Sequence, residues 1–84
     1  MKYKIVFSPT AAKQFEKLPK IIARRIASAI SKLAIEPMSG KRLKGELGDY
    51  WSYRVGQYRV IYYIRQKKIQ IEIIRVAHRR EVCR

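Results

Sequence analysis

Tyr3, Ile5 and Phe7 alternate with Lys2 and Lys4 at the start of the chain. A period of two predicts a half-buried strand over Lys2 to Phe7. Ser8-Pro9 follows as an N-cap with proline at the first helical position, where its missing N–H costs nothing. Ala11, Phe15 and Leu18 recur at helical spacing, which predicts a short helix ending near Leu18. Pro19 restarts the chain as a second helix, in which Ile22, Ile26, Ala29, Ile30 and Leu33 form one apolar stripe away from Lys20, Arg24, Ser28 and Lys32. Glu36-Pro37 ends it, because a residue before proline disfavours the α region.

Met38 to Asp49 contains the glycines at 40, 45 and 48 with Lys41, Arg42 and Lys44, and reads as a flexible basic loop. Tyr50 to Val55 and Tyr58 to Arg65 are strands joined at Gly56-Gln57, a two-residue hairpin turn of the type with glycine first. Gln66-Lys67-Lys68 is the next turn. Ile69 to Val76 is a third β-rich run, with Ile69, Ile71 and Ile73 alternating against Gln70 and Glu72. The order is β-α-α-β-β-β. It predicts an α+β fold: a small, mostly antiparallel sheet with an N-terminal helical hairpin packed on one face. The 84 residues make one domain, residues 1–84.

Charge changes the picture most. Twenty Lys and Arg against six Asp and Glu leave +14, and the basic residues divide evenly between the two halves of the chain. The positive charge is thus part of the fold, and self-repulsion at this level is relieved by a polyanion. Nucleic acid is the commonest such partner for a small basic domain. A hydrophobic content of 48% excludes a disordered basic tail. No run approaches the roughly 20 apolar residues of a membrane span, and Met1 to Ser8 lacks the apolar stretch of a signal peptide. The single cysteine, Cys83, cannot form an internal disulfide, and Cys and His are too few for a zinc site. The expectation is a cytoplasmic protein without membrane, metal or other cofactor.

The hairpin turn fixes the cross-strand register. Val55 faces Tyr58, Arg54 faces Arg59, Tyr53 faces Val60, Ser52 faces Ile61 and Trp51 faces Tyr62; opposed residues share a face. Trp51, Tyr53, Val55, Tyr58, Val60 and Tyr62 meet the helices. Tyr50, Ser52, Arg54, Arg59, Ile61, Tyr63 and Arg65 lie opposite. Two opposed arginines are unfavourable unless an anion bridges them, which predicts a phosphate-binding face flanked by tyrosines. The plainer alternative is that both arginines extend into water. Arg79 and Arg80 follow the last strand, within reach of the same surface.

Phe7-Ser8-Pro9, Phe15-Glu16-Lys17-Leu18-Pro19, Lys41-Arg42-Leu43-Lys44-Gly45, Tyr53-Arg54-Val55-Gly56-Gln57-Tyr58-Arg59-Val60-Ile61-Tyr62 and His78-Arg79-Arg80-Glu81-Val82 occur in this order along the chain. Together they resemble the RelE/ParE superfamily of type II toxin–antitoxin toxins, closest to the RelE branch. That resemblance implies a ribosome-dependent endoribonuclease that cuts mRNA, inhibits translation, and is held in a hetero-oligomer by a cognate antitoxin. In such cleavage the ribose 2′-OH attacks the adjacent phosphate, leaving a 2′,3′-cyclic phosphate and a 5′-OH end. Arg59 matches the family's strand arginine that stabilises the phosphate, Arg79 the arginine after the last strand, and Arg54 another basic position.

The chain also departs from the pattern. The family's lysines before the hairpin are replaced by Tyr50-Trp51-Ser52, and its C-terminal tyrosine by Cys83. Acid and base are therefore unassigned. His78 is the candidate replacement base, since its ordinary pKa lies near neutrality; a lone histidine at a strand end otherwise caps or packs. Cys83, beside Arg80 and Arg84, is a candidate low-pKa thiol or an incidental one. Lys41, Arg42, Lys44 and Arg80 are candidates for RNA backbone contacts, and Tyr50 and Tyr63 for base stacking, with solvated or packing roles as the alternatives. A ParE-like toxin on the same fold, inhibiting DNA gyrase without cleaving RNA, is the second functional reading. A nucleic-acid-binding module without toxicity is the third.

Overall fold

A computed structural model describes residues 2–43, 50–78 and 80. Strand β1 spans Lys4–Phe7, helix α1 Pro9–Glu16 and helix α2 Lys20–Ile35; strands β2 to β5 span Lys41–Leu43, Tyr50–Val55, Tyr58–Arg65 and Gln70–His78. One-turn 3₁₀ segments at Pro37–Ser39 and Gln66–Lys68 connect them. The sheet order is β1-β5-β4-β3-β2, parallel only between β1 and β5. The α+β class and the helical hairpin on one face of a mostly antiparallel sheet are as the pattern predicts. Among the described residues no helix is long and apolar enough to cross a membrane.

Local chemistry accounts for the boundaries. Ser8 caps α1, its Oγ accepting from the Ala11 N–H at 3.1 Å, with Pro9 in the first turn; such a cap contributes about 1 kcal/mol. The α1 helix ends at Glu16, two residues before the predicted Leu18, and Glu36 closes α2 ahead of Pro37. Ile26, Ala29, Ile30, Leu33 and Ala34 are the buried residues of α2. Ile26, Ile30 and Leu33 pack with Ala11 of α1 and with Val60, Tyr62, Ile71, Ile73 and Val76 of the sheet. Each large aliphatic side chain buried here contributes about 1.5–3 kcal/mol.

The basic loop expected over Met38 to Asp49 is corrected in its first half. Pro37–Ser39 forms a 3₁₀ turn and Lys41–Leu43 pairs with β3 as an edge strand, Lys41 opposite Ser52 and Leu43 opposite Tyr50. An edge needs only three residues to be covered, and charged side chains there guard against further pairing. Lys44 and the rest of that loop lie outside the described residues. The segment is drawn close at Gly40, where a Cβ would lie 2.5 Å from the Tyr62 hydroxyl and 2.8 Å from the Ser52 carbonyl oxygen. Tyr62, fully buried, donates to the Pro37 carbonyl at 2.6 Å. Burial pushes its pKa up to about 12, against the smaller opposing effect of a hydrogen bond from the Gly40 backbone.

Ile69 is also corrected. It stands outside the last strand, in the left-handed region (φ 51°), where it closes the 3₁₀ turn, and β5 runs on to His78. The alternation in β5 then changes parity. Ile61 pairs with Arg75 but Tyr62 pairs with Ile73, so Ile74 is the extra residue of a β-bulge. Two α1-side groups satisfy it. Ser8 Oγ donates to the Ile74 carbonyl at 3.1 Å, and the Val76 N–H donates to Gln14 Oε1 at 2.8 Å.

Candidate phosphate-binding face

The hairpin register is as predicted, with Arg54 opposite Arg59 and Tyr50 opposite Tyr63. Gly56 has φ +59°, as a glycine-first turn requires. The core takes Val60 and Tyr62, so Arg54 and Arg59 lie on the face away from the helices. The bulge adds a cation that the sequence reading missed. Arg75 pairs with Ile61, and Ile61 with Ser52, so Arg75 stands one row from the Arg54–Arg59 pair. Lys41, opposite Ser52 on β2, completes that row. The only trace of this in the sequence is the adjacent pair Ile73-Ile74 followed by Val76, which breaks a strict period of two.

Across the face, Arg54 and Arg75 are exposed and Arg59 is half-buried. The small side chains of Ser52 and Ala77 are buried, forming a floor between longer neighbours. The Nε of Arg59 is buried with no hydrogen-bond partner among the described residues. A guanidinium N–H left so is costly, and an anionic oxygen would satisfy it. Toward the other end of the face, Tyr50 and Tyr63 meet edge-on at 5.6 Å, and the Arg65 guanidinium lies 4.9 Å from the Tyr63 ring centre. Arg65 also pairs with Glu72 at 2.8 Å, and that hydrogen bond raises its pKa.

The matching family model is the ParE toxin of the type II toxin–antitoxin system, parDE, which covers residues 5–83. The chain belongs to the RelE/ParE family of toxins. Toxin RelG of Mycobacterium tuberculosis (strain ATCC 25618 / H37Rv) is 37% identical over 86 residues, spanning 100% of this chain and 99% of that one. Among solved structures, the toxin–antitoxin complex RelBE2 of the same species matches with TM-score 0.85 at 36% identity, covering 94% of this chain and 100% of that chain. The archaeal RelE–RelB complex of Pyrococcus horikoshii OT3 matches with TM-score 0.81 at 29% identity, covering 94% and 97%. The protein is a toxin of a type II toxin–antitoxin system in the RelE family.

Within this RelE-family toxin, the candidate residues separate into groups. Arg54, Arg59, Lys41, Tyr50 and Tyr63 share the open face. Arg42 pairs with Trp51 and so belongs to the helix side. His78, the candidate base, does not join the arginines. Shifted by the bulge, it pairs with Tyr58 on the helix side, its ring 5.3 Å from the tyrosine ring, and its Nδ1 accepts from the Arg80 backbone N–H at 3.2 Å. Those contacts are those of a packed strand end. Arg80 is exposed beside it. Arg79, Lys44 and Cys83 lie outside the described residues.

Proposed function

We propose that this toxin is a metal-independent endoribonuclease that cuts mRNA on the ribosome, with Arg54, Arg59 and Arg75 holding the scissile phosphate. The observation that carries the reading is the directly opposed Arg54–Arg59 pair, with an Arg59 Nε that is buried and has no hydrogen-bond partner among the described residues. A phosphate between the two guanidiniums relieves their repulsion and supplies the missing acceptor. In the reaction the ribose 2′-oxygen bonds to phosphorus as the bond from phosphorus to the 5′-oxygen breaks. The 2′-OH proton leaves to a base, and the departing oxygen takes up a proton. Charge builds on the non-bridging phosphate oxygens, and preorganised guanidiniums stabilise it most in that state. Tyr50 and Tyr63, next along the face, offer rings to the neighbouring bases. Arg79 retains the phosphate role that the resemblance gives it.

The solved complexes of toxin with antitoxin support a cognate antitoxin as the inhibitor of this chain in a hetero-oligomer. Action on translating ribosomes makes the cytoplasm its site of work. The test is 5′-end mapping of an mRNA in reconstituted translation, with and without ribosomes, comparing wild type with Arg59→Ala. Ribosome-dependent cuts that disappear in the variant support the reading. A folded wild type that makes no cuts overturns it and favours gyrase inhibition, which the ParE description of the family model and the lysine-free Tyr50-Trp51-Ser52 stretch support as the second reading.

A further inference from the structure

A cavity of about 500 Å³ opens at the end of the sheet where β4 passes into the Gln66–Lys68 turn. Met38, Arg42, Trp51, Ile64, Lys67 and Lys68 are among its lining residues, and Tyr63 and Arg65 line it from the face of the paired arginines. Trp51, Arg42 and Ile64 belong to the helix side by register, opposite Tyr62, Trp51 and Ile71 respectively. Trp51 is half-buried and stacks on Tyr62, with ring centres 6.3 Å apart and planes 24° apart, so its indole is held rigidly. Met38 is 59% exposed, an apolar cost in water that a flat ligand would remove. Lys67 and Lys68 are exposed on the rim. A fixed aromatic ring, a soft thioether and several cations around a cavity of this size match one class of ligand, a base with its phosphate.

We propose that this cavity is a single-nucleotide pocket for RNA, taking one base against Trp51 and Met38 and the adjoining phosphate on Arg42, Lys67 and Lys68. The inference rests on the reading that the toxin acts on RNA but uses none of the arginines assigned to the scissile phosphate; Tyr63 borders both sites. Trp51 is the only tryptophan in the chain, so its fluorescence reports on the pocket alone. Wild type and Arg59→Ala are titrated with a short single-stranded RNA, and binding is followed in parallel by anisotropy of a labelled copy. Saturable quenching of Trp51 is expected in both proteins. In Lys67→Ala/Lys68→Ala, whose substituted side chains are exposed and whose folding is checked by melting, affinity falls about tenfold at low salt, and the salt slope becomes shallower by about one per lysine. RNA that binds by anisotropy without changing Trp51 emission overturns the proposal. So does quenching that Arg59→Ala abolishes while the lysine variant keeps it. Adenosine monophosphate should quench only weakly, and saturation by it as readily as by RNA would assign the pocket to free nucleotides instead. Quenching that persists in a protein that never cleaves mRNA retains the pocket and rejects only the nuclease reading.

Discussion

Gln14 is a polar residue of a short helix, yet its side chain holds the bulge that orients the open face. Its Oε1 accepts from the Val76 N–H at 2.8 Å, a backbone group at the edge of the bulge at Ile74. Replacing Gln14 with leucine keeps the size and leaves that part-buried donor without an acceptor, at a cost of about 1–3 kcal/mol. The strand has no cheap escape. Removing the bulge would slip the register by one, turning Arg75 under the helices and Val76 to the open face. Burying an unpaired guanidinium costs several kcal/mol, more than the lost hydrogen bond. The bulge therefore stays and Gln14→Leu is destabilised in place. A loss of about 2 kcal/mol lowers Tm by roughly 8–16 °C in a domain of this size. Gln14→Glu keeps an oxygen acceptor and should lie within about 1 kcal/mol of wild type. Thermal melts of the two variants measure the difference, and hydrogen exchange at Val76 locates it. Equal losses in both variants, or unchanged protection at Val76 in the leucine variant, would refute the assignment of the bulge to this side chain.

Gly40→Ala should destabilise by about 2–3 kcal/mol, since its Cβ meets the Tyr62 hydroxyl and the Ser52 carbonyl below contact distance; adding Tyr62→Phe should recover part of that loss, and strict additivity in the double-mutant cycle would count against the clash. Tyr62, with its pKa raised from 10.0 to about 12, favours folding in its neutral form. That contribution is complete below pH 10 and is lost as pH rises through about 12, so alkaline melts of Tyr62→Phe should lack the decline seen in wild type across this window. His78→Ala should leave mRNA cleavage within about threefold of wild type, because its ring packs on Tyr58 away from the arginines; a loss of about 100-fold, the scale of a general base, would return it to the site. Arg75→Ala should reduce cleavage by about tenfold or more in a variant that still folds, as expected for a cation that acts on the phosphate from an exposed position.

Much of the fold is written locally. Ser8-Pro9 starts α1, Glu36-Pro37 stops α2, and the turn at Gly56 aligns β3 with β4 one residue at a time, which is why Arg54 and Arg59 could be opposed from the sequence alone. These features depend on neighbours in the chain, on φ restrictions and on side-chain periodicity. The short strand β2 is less legible, because Lys41-Arg42-Leu43 pairs only when the edge of β3 is there to receive it.

The last strand was decided by tertiary structure. Periodicity alone continues Ile69, Ile71 and Ile73 in one plane, whereas the folded strand begins after Ile69 and inserts Ile74 as a bulge. The groups that satisfy the bulge come from Ser8 and Gln14, which are 66 and 62 residues away from their partners in the chain. No local pattern carries an interaction of that separation. Yet its consequence reaches the chemistry: one extra residue turns Arg75 toward the arginine pair and His78 away from it. The sequence determined that the chain would carry a basic face on a small α+β sheet; the packing of α1 against β5 determined which of its later residues belong to that face, because only there could the bulge find its hydrogen-bond partners.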